Sequence, residues 1–216
     1  MGNIIFERNE LLINSVIKNL EKRNFNAYYC SSKDEVLKEI TNLIGKNEVI
    51  AWGGSVTLDE LRIKQYLEDS GYKTINRDKA KNREEKAELI MQGFSSDVYL
   101  MSSNAISEDG ILVNIDGTGN RTAALCYGPK RVIVIAGVNK ITKTLDDAIS
   151  RARNTAAPVN AKRVSAFMEV NTPCLKNGSC MNCKSETSIC TQVVITRLSN
   201  PKGRINVILV NDKLGY

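Results

Sequence analysis

Over the first hundred residues, short apolar segments alternate with helix-patterned ones, and this alternation is the strongest constraint on the fold. Residues 7–22, ERNELLINSVIKNLEK, place Leu11, Leu12, Val16, Ile17 and Leu20 at helical spacing. FNAYYC, EVIAW, YKTIN and DVYLMS then read as strands. KDEVLKEITNLI, a stretch from about Leu58 and REEKAELIMQGF read as the helices between them. Such an order predicts an α/β chain whose mostly parallel sheet is buried by flanking helices.

Beyond residue 102 the pattern changes. SSNAISEDGILVNIDGTGN is rich in turn residues around the short strand ILVN, and NRTAALCYG follows as a short helix. RVIVIAG is apolar almost throughout, as a central strand covered on both faces must be. A helical stretch over about 142–168 is expected to break or kink at Pro158. The end of the chain carries two β-rich segments, TQVVITRLS and RINVILVND, joined by NPKG, which predicts a C-terminal β-hairpin. With no internal repeat and no linker, residues 1–216 are read as a single domain.

At 216 residues, with 42% hydrophobic and 25% charged side chains, the chain can build its own core. Its 30 Lys and Arg exceed its 24 Asp and Glu, but they alternate with carboxylates, as in RDKAKNREEK, so a solvated surface is expected in place of a nucleic-acid track. The chain has no apolar run of about 18 residues, so no membrane span is expected. MGNIIFERNELL lacks the basic and apolar regions of a secretory signal, which makes the expected location cytoplasmic.

Four of the six cysteines fall within residues 174–190, CLKNGSCMNCKSETSIC. Cys174, Cys180, Cys183 and Cys190 are spaced C-x5-C-x2-C-x6-C, and the two-residue gap lets neighbouring thiolates reach one metal centre. Pro173 and Gly178 supply turning, while Asn177 and Asn182 tolerate left-handed backbone. Zinc, an iron–sulfur cluster and reduced free thiols all remain open on this spacing. Cys30 and Cys126 sit at apolar positions and read as buried small hydrophobes.

Two glycine turns follow strands. In WGGSVTLDE, Gly53, Gly54 and Ser55 lie where α/β proteins place ligands, although a capping box of Thr57 and Glu60 with a Val56–Leu61 staple accounts for the same residues. In NIDGTGNRTAAL, Gly117 and Gly119 bend the chain, Asn120 can cap the next helix, and Arg121 offers a cation to a carboxylate or phosphate. Neither turn is a dinucleotide or Walker loop. Between them, SSNAISEDG offers Asn104 as a hydrogen-bonding candidate and Glu108 as a general base or nucleophile. The absence of histidine removes the commonest acid–base partner.

Together, WGGSVTLDE, SSNAISEDGILVNIDGTGNRTAALCYGPKRVIVIAGVNKI and GRINVILVNDKLGY resemble the LUD-domain family, lactate utilisation protein C-like chains once catalogued as a domain of unknown function. The resemblance extends over nearly the whole chain and includes the cysteine loop of a shorter subgroup. It implies the fold shared by ribose-phosphate isomerases and CoA transferases, and a link to the oxidation of lactate to pyruvate. A small anionic metabolite as ligand, iron–sulfur subunits of a lactate-oxidising complex as partners, and a homo-oligomeric state are expectations that accompany it. The family supplies no agreed catalytic residue, so Glu108 and the glycine-turn residues stand as candidates through their motifs.

Overall fold

The computed structural model describes residues 2–216. The expected strands form as β1 (Asn26–Cys30), β2 (Val49–Trp52), β3 (Lys73–Ile75) and β4 (Val98–Met101). Between and before them lie α1 (Gly2–Lys22), α2 (Lys33–Leu43), α3 (Val56–Glu60), α4 (Ile63–Asp69) and α5 (Arg83–Gly93). The single helix expected from Leu58 is two, because Arg62 takes φ +53° between them and interrupts the helical path. In α1 the buried stripe is Ile13, Val16 and Leu20, whereas Leu11 faces solvent.

Then follow β5 (Ala105–Ser107), β6 (Leu112–Asp116), α6 (Asn120–Cys126), β7 (Arg131–Gly137), β8 (Ile141–Thr142), α7 (Leu145–Arg151), α8 (Ala157–Val164), α9 (Cys174–Asn177), β9 (Gln192–Thr196) and β10 (Ile205–Val210). Six strands make the main sheet in the order β1-β10-β7-β4-β2-β3, and every neighbouring pair is parallel. β10 fits between β1 and β7 because all six of its side chains are buried, the composition a central parallel strand requires. Its one amide side chain, Asn206, accepts from Asn26 and Tyr28.

The C-terminal hairpin does not form. β9 pairs antiparallel with β6 in a second, four-stranded sheet ordered β8-β5-β6-β9, while β10 enters the main sheet. Composition explains the separation: β9 is mostly exposed and can serve only at an edge, whereas β10 is too apolar for one.

One face of the main sheet packs on α1, α6 and the inner side of the second sheet, through residues such as Val16, Leu125 and Ile106. The other face packs on α2, α3 and α4, through Val36, Leu58 and Leu67. Each such aliphatic side chain contributes about 1.5–3 kcal/mol by leaving water. The second sheet turns Ala105, Val113 and Ile115 onto α7 and the residues after it. Residues 152–156 there widen into a π-helical turn just before Pro158, so the expected irregularity falls immediately upstream of the residue that lacks an N–H. Among the described residues no helix is long and apolar enough to cross a membrane.

Candidate functional site

The Gly53–Gly54 turn follows β2, at the carboxyl edge of the parallel sheet it shares with β3, β4 and β7, the place where open parallel sheets hold ligands. Gly53 is closely packed: a Cβ there would stand 3.1 Å from the Arg121 side chain and 3.2 Å from Tyr99 Oη, so a larger residue would press on both. Around Gly54 the space is open: a Cβ would meet nothing nearer than Arg77 Nη2 at 3.9 Å. The helix cap lies two residues earlier than expected. Ser55, not Thr57, is the N-cap of α3 and accepts from the Leu58 N–H at 3.3 Å. Thr57 is buried instead and meets Lys140.

Arg121 lies at the same end of the sheet, but its donors are all turned to the protein. Nη1 donates to Ser102 O at 2.9 Å and Asn114 Oδ1 at 2.6 Å, and Nη2 to Asn104 Oδ1 at 3.0 Å and Ile115 O at 2.7 Å. Asp116 Oδ2 stands 3.8 Å from Nε. This cation therefore rivets β4, β6 and α6 together. Asn104 is equally engaged, since its Oδ1 also accepts from the Ile115 N–H. Asn120 begins α6, and the N-cap position before it is Gly119 at φ +81°. The capping acceptor is Asp116 Oδ2, which receives the N–H groups of Arg121 and Thr122 at 3.1 Å each.

A second cation of this cleft is Arg77, which follows β3, is largely buried and is not singled out by the sequence motifs. Its Nε is buried and has no hydrogen-bond partner. Asp78 Oδ1, 3.8 Å from that nitrogen, is its nearest carboxylate. Asp78 is itself held by Lys64 Nζ at 2.7 Å and Trp52 Nε1 at 3.2 Å. Against burial, these partners keep its carboxyl below the usual carboxylate range. Asn120, with its amide oxygen turned toward Arg77, accepts from Nη1 at 2.7 Å; the opposite orientation would aim its NH₂ at a guanidinium. Tyr99 completes this wall, and burial pushes its phenol up to about 12 despite Arg77 and Arg121 beside it.

Lys140, after β7, is the second residue the motifs miss. It is 3% exposed, and burial together with Arg151 and Arg121 pushes its amine down to about 7. A single rule applied to the sequence finds both residues: each is a basic residue within three positions of a strand's carboxyl end. Glu108 belongs elsewhere. It sits in the β5–β6 turn, which packs on the end of α1 at the opposite edge of the main sheet, where its carboxylate pairs with Lys143 at 2.6 Å.

The cysteine loop makes a separate site. Cys174, Cys180, Cys183 and Cys190 all line one partly open pocket of about 250 Å³, together with Ile115, Ile189, Arg153 and Pro158. Asn182 bends the chain between two of them at φ +49° and accepts from Arg153 at 2.9 Å. Gly178 ends α9 at φ +74°. Cys190 lies at the surface, yet the chain crowded around its sulfur desolvates it and, with the neighbouring sulfurs, pushes its thiol up to about 11. Among the described residues no three Cys, Asp or Glu side chains group closely enough to hold a metal ion. By chemistry alone, four thiolates are the donor set of either a structural zinc ion or an iron–sulfur cluster. Cys30 is buried as expected, but Cys126, at the end of α6, is exposed.

Comparison with known proteins places the chain. The family model of the LUD domain matches residues 13–210. A DUF162 family protein from Deinococcus radiodurans has the same fold, with a TM-score of 0.54 at 11% identity over 94% of this chain and 98% of that one. Likenesses to eIF2B beta and eIF2B delta from Chaetomium thermophilum, 17% and 15% identical, cover 54% and 66% of this chain and 44% and 57% of theirs; their TM-scores of 0.35 carry no argument. No curated protein matches in sequence. The chain belongs to the LUD domain family.

Proposed function

We propose that this LUD-domain protein binds a small organic anion at the carboxyl ends of its parallel strands, within organic-acid metabolism of the lactate-to-pyruvate type. The observation that carries the reading is Arg77, a guanidinium whose buried Nε lacks a partner and which faces the open side of the Gly53–Gly54 turn. Nη2, on the open side of the turn, is the donor this guanidinium offers a carboxylate, while Nε stays buried beside Asp78. Arg121 shapes the cleft without touching the ligand, because its donors are already taken. Tyr99 and Asn120 flank the anion and set its orientation.

A thermal-shift screen of 2-hydroxy acids, 2-oxo acids and phosphates tests the reading, because a ligand that binds only the folded chain raises its midpoint. Small monocarboxylates are expected to raise the wild-type midpoint, and Arg77→Gln to abolish the rise while leaving the unliganded midpoint in place. A screen without any shift, or equal shifts in the variant, contradicts it. Iron–sulfur subunits of a lactate-oxidising complex are the partners this reading implies.

The cysteine-lined cavity favours a second reading, an iron–sulfur cluster with an electron-transfer or accessory role. Cys174, Cys180, Cys183 and Cys190 would hold the cluster, which would supply one-electron chemistry. Reconstitution with iron and sulfide under nitrogen should give a broad visible absorption that Cys183→Ser loses. Stoichiometric zinc in its place would contradict it.

A further inference from the structure

Lys140 closes the turn Val138–Lys140 that follows β7, and its Nζ lies 2.8 Å from Ser102 Oγ and 3.0 Å from Thr57 Oγ1. A buried ammonium normally has a carboxylate against it, because an unpaired charge in the interior is costly. Here none of the ion pairs among the described residues includes Lys140. Arg121 of α6 and Arg151 of α7 stand on its charged surroundings, with Glu60 of α3 the one opposing carboxylate. Gly215, from the end of the chain, lies over the amine and donates its N–H to Glu60 Oε2 at 2.8 Å. Both direct partners are hydroxyls, which accept from an ammonium or donate to an amine equally well. This environment suits a lysine that is neutral when it works.

Ser102 is placed to use that amine. It directly follows β4 at the centre of the main sheet, and its backbone carbonyl is pinned by Arg121 Nη1 at 2.9 Å. Apart from Lys140, its Oγ makes only a long contact of 3.4 Å, to Ser103 O. It is 7% exposed, more than the lysine behind it, so Ser102 is the nearer of the two to solvent.

We propose that Ser102 and Lys140 form a nucleophile and general-base pair that acts on an activated acyl compound, an ester or thioester. The neutral Nζ takes the Ser102 hydroxyl proton as Oγ bonds to the acyl carbon. The bond to the alkoxide or thiolate leaving group breaks, and that group takes the proton back from the Lys140 ammonium. Water then attacks the acyl-serine with the same amine as base, releasing a carboxylic acid and restoring Ser102. Thr57 Oγ1 accepts an Nζ–H bond and so aims the lone pair at Ser102. The proposal does not depend on Arg77, so it stands or falls separately from the anion-binding reading.

The test uses the full chain and 4-nitrophenyl acetate. Nitrophenolate release is followed from pH 6 to 9, and the acetylated residue is located by peptide mass mapping. The expected result is acetyl on Ser102 of the wild type, with a rate that rises with pH and levels off once Lys140 is neutral. Ser102→Ala should abolish that adduct. Lys140→Arg, which keeps a cation against the two hydroxyls but cannot act as a base, should slow it about 100-fold or more. Acetyl found only on surface lysines, no nitrophenolate release above the uncatalysed rate, or a Lys140→Arg variant that acylates Ser102 at the wild-type rate would overturn the assignment. The mapping and the pH profile need no variant, so misfolding of a mutant would not rescue or sink the idea.

Discussion

The strand-end cluster and the cysteine loop share a wall and are built on opposite plans. Ile115 lines the cysteine cavity with its side chain and accepts from Arg121 with its carbonyl. Thr191, just after the last cysteine, donates its N–H to Asp116 O at 2.9 Å, while the carboxylate of that aspartate caps α6. On one side of this turn, groups from α6, from β6 and from the residues after β4 meet in a dense hydrogen-bond network. On the other, four thiols from one 17-residue stretch surround a cavity with few bonds among themselves. The network ties neighbouring elements to one another, whereas the four thiols of the loop are free.

Stability measurements can break or sharpen that contrast. Arg121→Ala should show the largest effect, about 3–5 kcal/mol or outright failure to fold, because it removes four buried charge-assisted hydrogen bonds at once. Denaturant unfolding checks it, and a loss under about 1 kcal/mol would mean the network is not the rivet described here.

Next comes the pH dependence of Lys140. Its amine is lowered from 10.5 to about 7 in the folded chain, so between those values the unfolded chain binds the proton and the folded chain does not. Stability should therefore rise as pH increases from 7 toward 10, by at most about 1.4 kcal/mol per pH unit. Lys140→Met should flatten that rise in unfolding curves taken at several pH values. An unchanged slope would show that Lys140 stays charged in the fold.

Ser55→Ala should cost about 1 kcal/mol by removing the cap of α3, whereas Thr57→Val should not act through that cap. Smallest of all, Cys183→Ser without metal should change stability by less than about 0.5 kcal/mol, since the exposed thiol makes no contact that the fold needs. A large loss there would make the loop part of the core and erase the distinction.

What the sequence shows follows the same division. The strands and helices of the first hundred residues were legible because each pattern is local, and the cysteine loop was legible because its chemistry is written within 17 consecutive residues. The pairing of β9 with β6 was not, since NPKG suggested a turn and only the exposure of Val193 and Ile195 against the burial of Ile205–Val210 separates the two strands. Arg121 looked like a ligand cation because its motif is visible, while the acceptors that occupy it come from residues 102–115. Arg77 lay outside every motif and Lys140 passed unmarked within GVNKI, because their partners Asn120, Ser102 and Thr57 lie dozens of residues away.

The most direct test of the strand-end site is a titration of pyruvate and lactate into isotopically labelled protein, followed through backbone amide shifts. The account predicts saturable shifts at Gly53, Gly54, Ser55, Arg77 and Asn120, lost in Arg77→Gln. Shifts centred on residues 174–190, or no saturable shifts anywhere, would contradict it.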